Sequence, residues 1–263
     1  MIESHGASHV GRLRQLNEDS LLVDVDAGLF IVADGMGGTH AGEVASQMAV
    51  AVVTDFVRRS QREEADIWPY GLDARLSRNG NRLRNAVMLA NHRVWKEADL
   101  RPDRAGMGTT IVAALAEGDH LTLCSAGDSR AYLIRAGRLD QVTTDDSWVQ
   151  AALIEGVLSS SEARDYPLKN VLTKAVGGQE SIDFDVIERP LEDGDVYLLC
   201  SDGLHAMLTD VEILETVLAA GNDLRRASRD LIDGANLSGG KDNITALLFR
   251  HRKDGREPAG GEA

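Results

Sequence analysis

The stretch TTIVAALAEGDHLTLCSAGDSRAYLIRAGRLDQV, residues 109–142, decides the fold class. It holds four short, largely apolar runs: Thr109–Ala116, His120–Ala126, Ala131–Arg135 and Arg138–Val142. They are separated by Gly118-Asp119, Gly127-Asp128 and Ala136-Gly137. Short runs broken by glycine-containing turns predict a series of hairpins, because Gly and Asp take up turn angles with little strain. Outward from this meander, Ser20–Val25 and Leu29–Ala33 predict a further hairpin, joined at Asp26-Ala27-Gly28. Asp183–Glu188, Asp195–Cys200 and Ile244–Phe249 predict three more strands. Helices come in groups. Ala41–Arg59 carries Val44, Met48, Val52 and Phe56 at helical spacing, and about Asn81–Ala98 carries Leu83, Val87, Ala90 and Val94. Residues 60–80 read as a loop or broken connection. Ser147–Glu155 and Ser159–Arg164 predict two short helices, and Val211–Ala219 and Asp223–Asp233 two longer ones. This order lacks the regular alternation of a doubly wound sheet. Hairpin-linked strands with grouped helices predict an α+β protein, antiparallel sheets with helices packed outside.

Bulk composition narrows the function. At 263 residues the chain suits one domain, expected over 1–250, followed by a charged, Gly-rich and disordered tail at 251–263. Aromatic residues are only 4%, so the core must rest on Ala, Val, Leu and Ile. The net charge of -14 is repelled by nucleic-acid phosphates and anionic lipid, which argues against both as partners. Cys124 and Cys200 each sit inside an apolar run, as buried thiols do, and no Cys/His metal spacing exists. The N-terminus lacks a basic region followed by an apolar stretch, and no apolar run of about 18 residues occurs, which predicts a cytoplasmic protein.

The residues that carry chemistry recur at predicted strand ends. Glu18-Asp19 precede the first hairpin and Asp34-Gly35 follow it. Gly127-Asp128-Ser129-Arg130 lie between two strands, Ser201-Asp202-Gly203 follow the run ending at Cys200, and Asp242-Asn243 precede the last strand. A single Asp-Gly is more often a turn than a ligand. The same arrangement at five positions is different, because neighbouring strand ends would gather their carboxylates in one cleft. Gathered carboxylates repel one another unless a cation compensates them, and hard oxygen ligands suit Mg²⁺ or Mn²⁺. Two such ions can lower the pKa of a water and clamp phosphoryl oxygens. Arg14, four residues before Glu18, supplies a guanidinium fork that matches a phosphate group.

The motifs Arg14-x-x-Asn17-Glu18-Asp19, Asp34-Gly35-Met36-Gly37-Gly38, Gly106-Met107-Gly108-Thr109-Thr110, Gly127-Asp128-Ser129-Arg130, Ser201-Asp202-Gly203-Leu204 and Asp242-Asn243 stand in this order. Together they resemble the type 2C protein phosphatase family in its compact bacterial form, from about Gly11 to Phe249. The resemblance implies a four-layer α-β-β-α sandwich with a dimetal site at one end. It implies that Asp34 bridges two Mn²⁺ or Mg²⁺ ions and that the Gly35 carbonyl is a ligand. Asp202 and Asp242 would bind the first ion. Glu18 and Asp19 would support the second, directly or through water, and Asp128 with Asp202 a third and weaker one. Arg14 would bind the phosphate, and Asn17 and Asn243 would orient their neighbours. The implied function is hydrolysis of phosphoserine and phosphothreonine in proteins that a serine/threonine kinase has modified; for the oligomeric state, monomer is the default expectation. The alternative is a non-catalytic phosphoprotein-binding module on the same fold.

The segment Asp145–Gly178 resembles the family's flap. Two departures stand out: Tyr166-Pro167 where bacterial members often carry His-Pro, and Thr39-His40 where a histidine often comes first. His40 reads as a surface residue at a helix start. His5, His9, His92, His120, His205 and His251 show no metal spacing and read as structural or exposed. Arg130 reads as a structural partner of nearby acidic groups. Leu237-Ser238-Gly239-Gly240-Lys241 resembles the signature of transport ATPases, but without a G-x-x-x-x-G-K-[ST] loop it reads as the approach to Asp242.

Overall fold

The structure, a computed structural model, describes residues 1–38, 40–62, 68–159, 162–163, 166–168 and 171–253. Two antiparallel sheets pack face to face. One has the order β1 (Ile2–His9), β11 (Ile244–His251), β10 (Val196–Cys200), β7 (Arg130–Arg135) and β8 (Arg138–Gln141). The other runs β2 (Asp19–Asp24), β3 (Leu29–Met36), β5 (Ile111–Glu117), β6 (His120–Ala126) and β9 (Asp185–Pro190), with the two-residue β4 (Gly108–Thr109) pairing the end of β3. Helices α1 (Ala41–Arg62) and α2 (Arg78–Leu100) cover the second sheet. Helices α4 (Asp202–His205), α5 (Asp210–Ala220) and α6 (Leu224–Leu237) cover the first. The short α3 (Trp148–Ile154) follows β8. This is the expected four-layer sandwich.

Side-chain alternation builds its three apolar layers. Along β3, Leu29 and Ile31 face α1 and α2, while Phe30 and Val32 face the other sheet. Along β11, Ala246 and Leu248 face the helices, while Leu247 and Phe249 face inward. Between the sheets Phe30 stacks on Phe249 with ring centroids 4.4 Å apart, and Tyr197 stacks on Phe249 at 5.2 Å. A chain poor in aromatics places these rings where they cover most area. Cys124 and Cys200 are free and buried, as expected. Local signals set the helix starts. Ser77, Ser147, Thr209 and Asp223 cap α2, α3, α5 and α6, and Thr209 with Glu212 completes a capping box.

Several boundaries differ from the sequence expectation. The strand Ile2–His9 had no counterpart, because its Ser, His and Gly residues show no apolar alternation. Small residues are what its position requires: a side chain on Gly6 would meet Leu21, Val23 and Leu247. The strand Ile244–His251 runs past the expected domain end, and buried His251 lies inside it, so position 251 belongs to the fold and not to the tail. Residues 254–263 of the expected tail lie outside the described residues. The expected strand Thr109–Ala116 breaks at Thr110, whose N–H donates to the Asp34 carbonyl. Asp183–Glu188 shifts to Asp185–Pro190, set by pairing with His120–Ser125. The helix expected over Ser159–Arg164 lies partly outside the described residues.

Candidate metal centre

The inward-facing rows of the sandwich turn polar at one end. Phe30 and Val32 on β3 are followed on the same face by Asp34. Phe249 and Leu247 on β11 are preceded by Thr245 and Asn243, and Tyr197 and Leu199 on β10 are followed by Ser201. Asp19 sits directly opposite Asp34 in the β2–β3 register. Period-two alternation thus carries the inter-sheet core into a polar floor.

Above this floor opens a cavity of about 430 Å³. It is lined by Arg14, Glu18, Asp34, Gly35, Asp128, Asp202, Asp242 and Asn243, together with Met36, Gly37, Thr110 and Leu172. Eight of the ten candidate ligand, phosphate-binding and supporting positions meet the cavity wall; Asp19 and Asn17 do not line it. A larger cleft of about 510 Å³ lies between α1 and α2, walled by Met48, Phe56 and Leu89. It holds none of the strand-end carboxylates.

Backbone contacts fix each loop. The Asp34 N–H donates to Thr110 Oγ1 at 3.0 Å, and its carbonyl accepts from Thr109 Oγ1 at 2.9 Å. Gly35 packs so closely under α1 that a β-carbon there would lie 2.1 Å from the Gly42 carbonyl oxygen. A β-carbon on Gly203 would lie 1.9 Å from the Asn243 carbonyl oxygen, so the loops bearing Asp202 and Asp242 touch backbone to backbone. Asn243 Oδ1 accepts from the Glu18 N–H at 2.8 Å, and its Nδ2 donates to the carbonyls of Val10 and Leu16. Asn17 Oδ1 accepts from the Asp19 N–H at 3.2 Å. Asn17 thus holds the backbone of Asp19, and Asn243 that of Glu18. Arg130 pairs with Asp145 at 2.7 Å, in the structural role expected of it.

Asp19 is buried, with Oδ2 accepting from Ser201 Oγ at 2.7 Å and Thr245 Oγ1 at 2.6 Å. Its Oδ1 has no hydrogen-bond partner, and neither has Oδ1 of Asp202. Asp34 and Asp202 both line the cavity, and the charge of Asp202 is among those that repel the Asp34 carboxylate. Burial and then mutual repulsion push these acids up. Asp34 lies well above the usual carboxylate range. Asp19 and Asp128 are pushed up to about 7, and Asp202 to about 6. Such a set of oxygens needs positive charge. Part of it comes from Arg14, whose Nη2 donates to Asp242 Oδ2 at 2.7 Å. Oδ1 of Asp242 accepts from the Asn243 N–H. Among the described residues no group of three or more His, Cys, Asp or Glu side chains stands, as placed, where it could hold a metal ion. The donor set, all oxygen and with two buried oxygens unpartnered, nevertheless fits a hard divalent cation.

Between β8 and β9, Trp148 stacks on Tyr166 with centroids 4.9 Å apart, so the Tyr166 departure serves packing. Leu172 brings this region to the cavity wall. His40 is exposed, with φ of 65°. The sequence reading missed Ser201, Thr245, Thr110 and His205 as supports. The first three were findable by extending the period-two rows of β10, β11 and β5; His205 carried no such signal.

The family model for protein phosphatase 2C matches residues 5–233. The serine/threonine phosphatase stp of Listeria welshimeri is 36% identical over 245 residues, 90% of this chain and 91% of that protein. The serine/threonine protein phosphatase PstP of Mycobacterium tuberculosis is 38% identical over 238 residues, 90% of this chain and 43% of that longer protein. The crystal structure of the Mycobacterium tuberculosis serine/threonine phosphatase PstP/Ppp superposes with a TM-score of 0.83 at 34% identity, covering 96% of this chain and 99% of that one. The catalytic domain of PstP in complex with two manganese ions gives a TM-score of 0.81 at 33% identity, over 96% and 99% of the two chains. Sequence and fold agree on one assignment: the chain belongs to the protein phosphatase 2C family, in its bacterial form.

Proposed function

We propose that this chain hydrolyses phosphoserine and phosphothreonine in proteins, with divalent ions held by its strand-end carboxylates. The observation that carries this reading is the convergence of Asp34, Asp128, Asp202 and Asp242 on one cavity with Arg14 in its wall. The names of the relatives, serine/threonine phosphatases, support it. Asp34 and the Gly35 carbonyl would hold two Mn²⁺ or Mg²⁺ ions between them. Asp202 and Asp242 would complete the first site, and Glu18 with Asp19 the second, directly or through water. Asp128 and Asp202 would hold a third. When bound, the ions lower the pKa of a water and neutralise charge on the phosphoryl oxygens. The protein's own groups do the positioning. Arg14 uses Nη2 on Asp242 and keeps further N–H donors for the phosphate. Ser201 and Thr245 hold Asp19 from beneath, and Thr109 and Thr110 hold the backbone of Asp34.

The substrates are phosphoproteins made by a serine/threonine kinase, and the chain acts as a cytoplasmic monomer. Among the described residues no helix is long and apolar enough to cross a membrane. The test is phosphate release from a phosphothreonine peptide with Mn²⁺. Chelator should abolish it. Asp34→Asn and Asp202→Asn should lower turnover by orders of magnitude with an unchanged circular dichroism spectrum. Full activity in both variants overturns the reading, and peptide binding without phosphate release by the wild type favours a non-catalytic module.

A further inference from the structure

We propose that His205 is a positioning residue that sets the separation of Asp128 and Asp202. The inference rests on the reading of those two aspartates as ligands of a third, weaker ion. Helix α4 has four residues, with Asp202 first and His205 last. The half-buried His205 ring places Nε2 3.0 Å from the backbone carbonyl oxygen of Asp128. A carbonyl only accepts, so Nε2 carries the proton and donates it.

The turn bearing Asp128 is held at each of its three residues. The Gly127 N–H donates to Asp146 Oδ2 at 3.2 Å, and the Ser129 hydroxyl meets Thr110 Oγ1 at 2.7 Å. The tie at Asp128 itself is His205. Of these three partners, His205 alone comes from the element that carries Asp202. Helix α4 is packed tightly at its start, where a β-carbon on Gly203 would lie 1.9 Å from the Asn243 carbonyl oxygen. The imidazole therefore works as a strut between the two carboxylates, one on the β6–β7 turn and one on α4. A leucine would fill similar space without the donor. Glutamine keeps an N–H donor at similar reach.

The test is a Mn²⁺ binding isotherm by calorimetry on the full chain, for wild type, His205→Leu and His205→Gln, with thermal melting of each metal-free protein alongside. The expected result is a weak site whose affinity falls about tenfold or more in His205→Leu, as for lost support behind a metal ligand. The tighter sites should stay within twofold of wild type, and His205→Gln should recover most of the loss. In an Asp128→Asn background, His205→Leu should change the isotherm no further. A weak site unchanged in His205→Leu overturns the proposal. So does a loss spread over all sites in step with the melting temperature, which marks a merely structural role. A wild-type isotherm with no weak site overturns the third-ion reading itself, and the inference with it.

Discussion

Replacing Asp128 by Asn should stabilise the metal-free protein, and more so as pH rises. Asp128 is pushed up to about 7 from an ordinary 3.8, chiefly by burial and then by the charges of Asp202 and Asp145. A carboxylate whose folded pKa exceeds its unfolded value binds more protons when folded. Its contribution to stability is therefore intact below about pH 4 and is lost as pH climbs through about 7. A shift of about 3 units corresponds to about 4 kcal/mol once the group is fully ionised. More than a third of this is already present at pH 5, so the wild type loses roughly 2–3 kcal/mol more between pH 5 and pH 8. Asparagine keeps the shape and removes the charge. The gain from Asp128→Asn in EDTA should grow by that amount over the same range. Comparing the two proteins cancels His205, which burial pushes down to about 4 and which acts in the opposite sense below pH 6.5. The assay is urea unfolding at pH 5, 6.5 and 8, with EDTA and then with saturating Mn²⁺. With Mn²⁺ the advantage should shrink or reverse, because the ion stabilises the wild-type carboxylate by binding it. A gain that is flat with pH, or a loss of stability in EDTA at pH 8, would refute the picture of compressed, uncompensated charge.

Two further outcomes follow from the geometry. Arg14→Lys keeps a positive charge but not the fork that can hold Asp242 and phosphate together, so it should raise KM for a phosphothreonine peptide about tenfold or more; an unchanged KM places the phosphate elsewhere. Phe249→Ala empties the centre of the stack between the sheets and should cost about 3–5 kcal/mol in urea unfolding, whereas a loss under about 1 kcal/mol would mean the inter-sheet layer is held by other contacts.

Much of this fold is legible in sequence because its strands are short apolar runs broken by glycine turns. Residues 109–142 announce their hairpins through Gly118, Gly127 and Gly137, and each of these glycines has positive φ. Where no apolar run marks the strand, legibility ends. Ile2–His9 is a strand by virtue of its partner Ile244–His251, and nothing in its own residues says so. The same holds at the site. Asp34, Asp128, Asp202 and Asp242 are visible because acids beside Gly or Asn at strand ends are distinctive. Ser201 and Thr245 are ordinary residues until the two sheets bring them under Asp19. His205 is further still from reading, since its partner is a backbone carbonyl 77 positions away in sequence.

The most direct test of the central claim is anomalous diffraction at the manganese edge from crystals grown with Mn²⁺. Two strong peaks are expected in the cavity. Asp34 should lie between them, with Asp202 and Asp242 on one and the Glu18 side on the other. Crystals of Mn²⁺-activated protein with no peak in this cavity, or with Asp34, Asp202 and Asp242 turned away from the ions, would contradict it.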